Sequence, residues 1–323
     1  MSGNLRYTDD SRPGITRKRR GRYWQYFGPS GRRITSRREI DRLNAIGMPP
    51  AYREVWLSPD PRGHIQGIGI DDRGRRQYRY HPDFRARRDR GKFGRLAAFG
   101  AALPKLRRRI AADLKRRPTS CEAVIAAVIR LIDATQMRVG NEEYAKDNKS
   151  FGATTLRNRH ARVKGETLKI AYAGKHGIRR TATVSDRALA RIARKTQDLP
   201  GQNLFEYLDE GGCARPIGSA DVNAYIREAT GEDFTAKDFR TWGASVIAFE
   251  ALIAEAPGVN SMIEPVAEAL GNTVAIARKS YVHPKLIEAA KAGGLPLRVA
   301  LPRASRYLSS GERGLIAFLG RRK

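Results

Sequence analysis

The chain has 323 residues, with 62 Lys and Arg against 33 Asp and Glu, a formal net charge of +29 and an isoelectric point near 10.8. Such a surplus points to a polyanionic partner, while 41% hydrophobic residues exclude a disordered basic protein and give enough apolar material for two cored domains. The charge is also spread along the chain, with 22 basic and 10 acidic side chains in residues 1–90 and 40 and 23 in the rest, so a basic tail on a neutral enzyme fits poorly and both parts are expected to meet the polyanion.

The first 20 residues are basic and punctuated by Pro13-Gly14, and are expected to be mobile or ordered only on the partner. Tyr23 to Phe27 reads as a strand ending in the turn cluster Gly28-Pro29-Ser30-Gly31. Ser36 to Ile46 reads as a short helix, with Ser36 as N-cap and Glu39 as its capping-box partner. A hairpin follows: Ile65 to Ile70, a turn at Asp71-Asp72-Arg73-Gly74, then Arg75 to Tyr80. Alternation places Tyr78 and Tyr80 on one face and Arg75, Gln77 and Arg79 on the other, one face to pack and the other either to lie on phosphates or to stay solvated as in an ordinary amphipathic hairpin.

From about Pro82 the pattern turns helical, and the charge-dense run Arg85 to Arg90 suggests a domain boundary, giving an N-terminal domain of residues 1–85 and a second of 86–323. Helices are predicted at 92–117 and 120–135, the second capped by Thr119 with Glu122 and striped by Val124, Ile125, Val128, Leu131 and Ile132. Three strands are predicted at Arg159–Val163, Thr167–Tyr172 and Arg179–Val184, followed by helices near 186–195, 220–229, 236–255, 261–270, 273–281 and 311–319. The fold class is therefore α+β: a small β-rich N-terminal domain and a mainly α-helical domain containing a small three-stranded sheet.

Metal-free cutting of a phosphodiester needs a nucleophile, cations around the phosphorus, an acid for the leaving oxygen and a way to reseal. A tyrosine meets the first and last needs, because a phosphotyrosyl ester conserves the energy of the broken bond. Arginine's planar fork suits the non-bridging oxygens, and a lysine ammonium can supply the proton. Candidates stand in chain order: Arg138 before Gly140, Lys175 at a glycine-flanked hairpin tip, Arg240 on a helix that Thr235 and Asp238 start, Asn272 after the helix stop Gly271 and as candidate cap of the next helix, and Tyr281 before His283-Pro284.

The strings Pro49-Pro50-Ala51-Tyr52, Val55 to Gln66, Gln77-Tyr78-Arg79-Tyr80-His81-Pro82, Arg138-Val139-Gly140-Asn141, Phe151 to Leu156, Lys237-Asp238-Phe239-Arg240-Thr241, Leu270-Gly271-Asn272-Thr273 and Tyr281-Val282-His283-Pro284 resemble the type IB DNA topoisomerases of the bacterial, poxvirus-like group over nearly the whole length. The resemblance implies that Tyr281 attacks phosphorus, Arg138 and Arg240 clamp its oxygens, and Lys175 protonates the 5′-hydroxyl. It implies a monomeric two-domain clamp on double-stranded DNA that relaxes supercoils of either sign through a 3′-phosphotyrosyl link. Asn272 occupies a slot that holds histidine in poxvirus and eukaryotic enzymes, and asparagine can donate a hydrogen bond there but not exchange a proton at neutral pH. Lys237, Arg75, Arg79, Tyr78 and Arg157 are the expected DNA contacts. A tyrosine recombinase and a non-enzymatic architectural DNA-binding protein are the alternative readings.

Five scattered histidines form no zinc pattern, and neither a phosphate-binding glycine loop nor a carboxylate cluster for paired magnesium ions is present, so no cofactor or metal is expected. No uncharged apolar run reaches the ~18 residues of a membrane span; the best, Ala244 to Ala256, is broken by Glu250 and Glu255. The N-terminus lacks a hydrophobic signal core, and Cys121 and Cys213 suggest no disulfide framework, so the expected location is the cytoplasm, on the nucleoid.

Overall fold

A computed structural model describes residues 5–255, 258–293 and 301–320. The chain divides into two compact units, residues 1–94 and 95–323.

In the first unit β1 (Thr16–Arg20) pairs antiparallel with β2 (Tyr23–Phe27), with Arg20 opposite Tyr23. The basic N-terminal segment is thus ordered from Thr16 on: Arg17 lies over the Trp24 ring at 4.0 Å and donates to the Met48 carbonyl at 2.8 Å, so stacking and a backbone partner fix what charge alone would leave loose. Residues 1–4 of that segment lie outside the described residues. Helix α1 (Arg37–Ala45) starts at Ser36, but the Ser36 hydroxyl makes no capping bond and Glu39 instead pairs with Arg42 at 2.6 Å. A three-stranded sheet follows in the order β3 (Arg53–Leu57), β4 (Ile65–Ile70), β5 (Arg76–Tyr80). Helix α2 (Pro82–Gly94) closes the unit and contains the charged run 85–90. Tyr78, Tyr80 and Phe84 stack in series, with ring centroids 6.0 and 5.5 Å apart.

The second unit is built on α3 (Leu96–Asp113) and α4 (Cys121–Thr135). Helix α3 buries Leu96, Phe99, Leu103, Leu106 and Ile110, a helical stripe; α4 is buried from Ala123 through Ile129 and again at Leu131 and Ile132, so it runs through the centre of the core. Its cap is Ser120 rather than Thr119: the Ser120 hydroxyl accepts from Ala123 N at 3.4 Å. After α5 (Glu142–Asn148) comes the antiparallel sheet β6 (Ala161–Lys164), β7 (Thr167–Ala173), β8 (Arg179–Ser185), then α6 (Arg187–Gln197) and the short pair β9 (Glu206–Leu208) and β10 (Ala214–Pro216).

Helices α7 (Ser219–Thr230), α8 (Ala236–Glu255), α9 (Val259–Leu270), α10 (Val274–Ser280), α11 (Pro284–Lys291) and α12 (Ser310–Gly320) complete the unit. Trp242 of α8 lies over Gly100 of α3, where a methyl group would sit 2.2 Å from the indole, and donates to Glu312 of α12 at 3.0 Å. Arg107 joins Asp133 and Glu312 at 2.7 Å each, so α3, α4 and α12 share one buried ion network. The observed class is the α+β arrangement expected from the sequence.

Candidate active site

Arg138 stands in the extended segment that follows α4. Gln136 turns the chain into the left-handed region (φ 49°) and ends the helix, after which Arg138 O accepts from Ala153 N at 2.9 Å and Val139 O from Thr154 N at 2.7 Å. The two segments approach this closely because Gly140 meets Gly152: a methyl on Gly152 would lie 2.6 Å from Gly140 N and Cα and from Arg138 O. Gly140 has φ +110°, a conformation that only glycine adopts without strain.

Arg240 comes from α8. Asp238 supplies its half of the expected capping box, its carboxylate accepting from Thr235 N at 2.8 Å, while the Thr235 hydroxyl donates to that carboxylate at 3.0 Å; the same carboxylate pairs with Arg95 at 2.8 Å. Arg240 is 5% exposed and donates to two carbonyls, Gln136 O and, at 3.2 Å, Leu270 O. Gly243, one helical turn on, leaves the room for Gln136, since a methyl there would lie 2.4 Å from Gln136 Cγ. Among the described residues neither Arg138 nor Arg240 makes an ion pair, so two positive charges stand together without a carboxylate. Burial, followed by the nearby Arg138, holds Arg240 below the ordinary arginine range, a range so high that the fork stays charged.

The tyrosine is reached through α9 and α10. Helix α9 ends at Gly271 (φ 57°), with Asn272 N donating back to Ala267 O at 2.9 Å. The cap of α10 is Thr273, whose hydroxyl accepts from Ile276 N at 3.3 Å, and not Asn272. Asn272 is thereby released from a capping role, and among the described residues its Nδ2 is buried without a hydrogen-bond partner, as is Arg240 Nε. Leaving a buried donor unsatisfied costs about 1–3 kcal/mol, and both donors suit an acceptor oxygen brought by a ligand.

Tyr281 follows α10, and Ser245 of α8 fixes its backbone: the Ser245 hydroxyl donates to Tyr281 O at 3.3 Å and accepts from His283 N at 3.1 Å. The Arg240 guanidinium lies 5.1 Å from the centre of the Tyr281 ring. Burial alone would push the phenol up, but Arg240 and Arg138 together outweigh it and hold Tyr281 below the ordinary tyrosine range. Tyr172 on β7 responds oppositely: burial raises it and Arg180, Arg240 and Arg138 only partly offset the rise.

Lys175 sits in the turn Lys175–Gly177 between β7 and β8, exposed, with Gly174 N donating to Ile178 O at 2.8 Å across its base. Arg138, Arg240, Tyr172, Arg180, Lys175 and Gly271 line one small concavity. Of the five candidate catalytic positions, four thus gather around Arg240 and Gly271, and Lys175 joins them from the hairpin. Tyr172 and Arg180 are not among the residues expected from the sequence; they face each other on the adjacent strands β7 and β8, a pairing that leaves no local signal beyond an arginine and an aromatic.

The expected DNA contacts lie in both units. Lys237 is exposed on the first turn of α8. Arg157 reaches Asn203 and lies 3.7 Å from Glu142. In the first unit Tyr78 is 40% exposed and Arg79 half-buried, while Arg75 is drawn to Asp71 at 2.7 Å. Among the described residues no group of three or more His, Cys, Asp or Glu is placed to hold a metal ion, and no helix is long and apolar enough to cross a membrane.

Residues 81–285 match the family described as eukaryotic DNA topoisomerase I, catalytic core, and residues 23–71 match the bacterial DNA topoisomerase IB N-terminal domain. The DNA topoisomerase 1B of Acanthamoeba polyphaga mimivirus is 32% identical over 286 residues, covering 83% of this chain and 85% of that one. The DNA topoisomerase 1B of Vaccinia virus (strain Copenhagen) is 25% identical over 247 residues, covering 74% and 76%. A solved XerH site-specific recombinase bound to palindromic difH substrate overlaps 57% of this chain and 50% of its own at 19% identity and TM-score 0.37, a likeness too weak to argue from. Matched in both units and along most of its length, the chain belongs to the type IB DNA topoisomerases.

Proposed function

We propose that this enzyme relaxes duplex DNA supercoiled in either sense by nicking and resealing one strand, with neither ATP nor metal. The phenol oxygen of Tyr281 attacks the scissile phosphorus and gives up its proton to solvent. The bond from phosphorus to the 5′-oxygen breaks, and that oxygen takes a proton from the Lys175 ammonium. A 3′-phosphotyrosyl ester and a free 5′-hydroxyl result; the duplex swivels, and attack by the hydroxyl reverses each step. Arg138 and Arg240 bind the non-bridging oxygens as charge builds on them, and Asn272 adds a neutral donor. One observation carries this reading: the Arg240 guanidinium lies 5.1 Å from the Tyr281 ring, and among the described residues neither Arg240 nor Arg138 is paired with a carboxylate.

Lys237, Arg157, Arg79, Arg75 and Tyr78 serve the duplex outside the reacting phosphate, and the enzyme works as a monomer on the nucleoid in the cytoplasm. The net +29 favours binding dominated by phosphate contacts, whose affinity falls steeply with salt. The test is incubation with positively and with negatively supercoiled plasmid in EDTA. Relaxation of both, lost in Tyr281→Phe together with the covalent DNA adduct, is the expected result. A strict need for magnesium or ATP would overturn the reading, and strand exchange between two sites without relaxation would make the enzyme a recombinase.

A further inference from the structure

Arg180 takes part in none of the chemistry assigned above, yet it spans two catalytic positions. Its aliphatic stem lies on Gly174, the residue before Lys175: a methyl at Gly174 would sit 3.0 Å from Arg180 Cγ. Its guanidinium lies on Gly271, the residue before Asn272, where a methyl would sit 1.9 Å from Nη1 and 2.1 Å from Cζ. The fork is held there by Nη2, which donates to Ala269 O in the last turn of α9 at 3.1 Å. That carbonyl belongs to the negative end of the helix, which favours a cation. Arg180 also interacts with the Tyr172 phenol, which stands among the clamp arginines. Two residues preceding catalytic positions are glycine, and the same side chain occupies the space that a Cβ would need at each.

We infer that Arg180 is a positioning residue that ties the Lys175 hairpin to the Gly271–Asn272 junction, holding the general acid in register with the phosphate clamp. The tip of the β7–β8 hairpin, which carries Lys175, is exposed. A lysine on such a tip samples many positions; fixing it beside the leaving oxygen converts a loose encounter into a directed one. The inference rests on the assignment of Lys175 and Tyr281 under the proposed function.

The test uses the full enzyme with Arg180→Met, which keeps the stem over Gly174 and deletes the fork. Single-turnover cleavage is measured on normal DNA and on a strand whose scissile 5′-oxygen is replaced by sulfur, a leaving group that needs little protonation. Arg180→Met should lose at least tenfold in cleavage rate on normal DNA and come within about threefold of wild type on the sulfur strand, directed proton transfer being a 10²–10⁴-fold effect of which loss of register removes part. Cleavage of the sulfur strand also shows that the variant is folded. In a Lys175→Ala background the same substitution should add less than about twofold on normal DNA.

Equal slowing on both strands would make Arg180 a phosphate contact and overturn the inference, as would a wild-type rate on normal DNA or full additivity with Lys175→Ala. If wild type itself forms no adduct, or forms it in Tyr281→Phe, the proposed function fails and the inference with it. A wild type that cleaves through Tyr281 beside an unimpaired Arg180→Met defeats the inference alone.

Discussion

Gly152 packs its backbone directly on Gly140, with Gly140 N and Cα 2.6 Å from where a Cβ on Gly152 would stand. The contact sets the depth at which Arg138 enters the site, because Arg138 O accepts from Ala153 N on the other side of the same seam. The close approach is therefore a condition for the clamp rather than a detail of a loop.

Gly152→Ala should force the seam apart. Overpacking of this kind costs about 1–3 kcal/mol, read as a lowered urea midpoint. Cleavage should fall by more than tenfold while affinity for duplex DNA changes little, since the phosphate contacts elsewhere are untouched. Wild-type cleavage by a destabilised variant would show that Arg138 does not depend on the seam.

Arg240→Lys tests the fork separately from the charge. Arg240 uses one terminal nitrogen on Gln136 O and the other on Leu270 O. An ammonium cannot span both carbonyls and still face the phosphate. Loss of a preorganised donor typically costs 10²–10³-fold in rate, and a drop in cleavage of that order is expected. A lysine variant with full activity would sink the argument from planarity.

Tyr281 gives a pH test. Burial raises its phenol, and Arg240 and Arg138 bring it below the ordinary range, so the phenolate becomes available at lower pH than for a free tyrosine. With Arg138→Ala one of the two opposing cations is gone and burial regains ground. The rise of single-turnover cleavage with pH should move to higher pH in that variant, with the rate at neutral pH reduced. On the sulfur-substituted strand the shift should persist, because it belongs to the nucleophile. An unchanged profile would place the titrating group elsewhere.

How far the sequence reached depended on whether the deciding contact was local. The hairpin Ile65–Tyr80 was legible because Asp71 to Gly74 is a turn by composition and the flanking residues alternate; β3 was not, because Glu54 takes φ 48° and breaks the strand's register with β4. The cap positions Ser120 and Thr273 each fell one residue beyond the expected one, since Thr119 and Asn272 are equally good caps by residue type and only the path of the chain decides. Helix α11 begins at Pro284 directly after the tyrosine's segment, and its eight residues were too short to show a period. The candidate catalytic positions came from residue chemistry and matched strings, whereas Arg180 is bonded to a carbonyl 89 positions away and gave no local sign.

The hairpin of the first unit carries its own acid-sensitive fastening. Asp71 accepts from Arg73 N and Arg75 N at 3.0 Å each, from Arg75 Nε at 2.9 Å and from Gln77 Nε2 at 3.0 Å. The hydrogen bond from the Arg75 side chain is the largest influence, burial opposes it, and the backbone donors add to it, bringing the carboxyl down to about 2. An aspartate in the unfolded chain titrates near ~3.9. The folded value lies below the unfolded one, so the stabilising contribution is fully present above about pH 4 and is lost as pH falls toward about 2. Asp71→Asn removes the ionised acceptor at every pH. The gap in urea midpoint between wild type and this variant should be open at pH 5 and narrow steadily below pH 4. Arg75 Nε–H, followed by NMR, should lose its protection over the same interval. A gap that stays constant down to pH 2.5 would show that the carboxylate's charge does not hold the turn, and that its shape alone is enough.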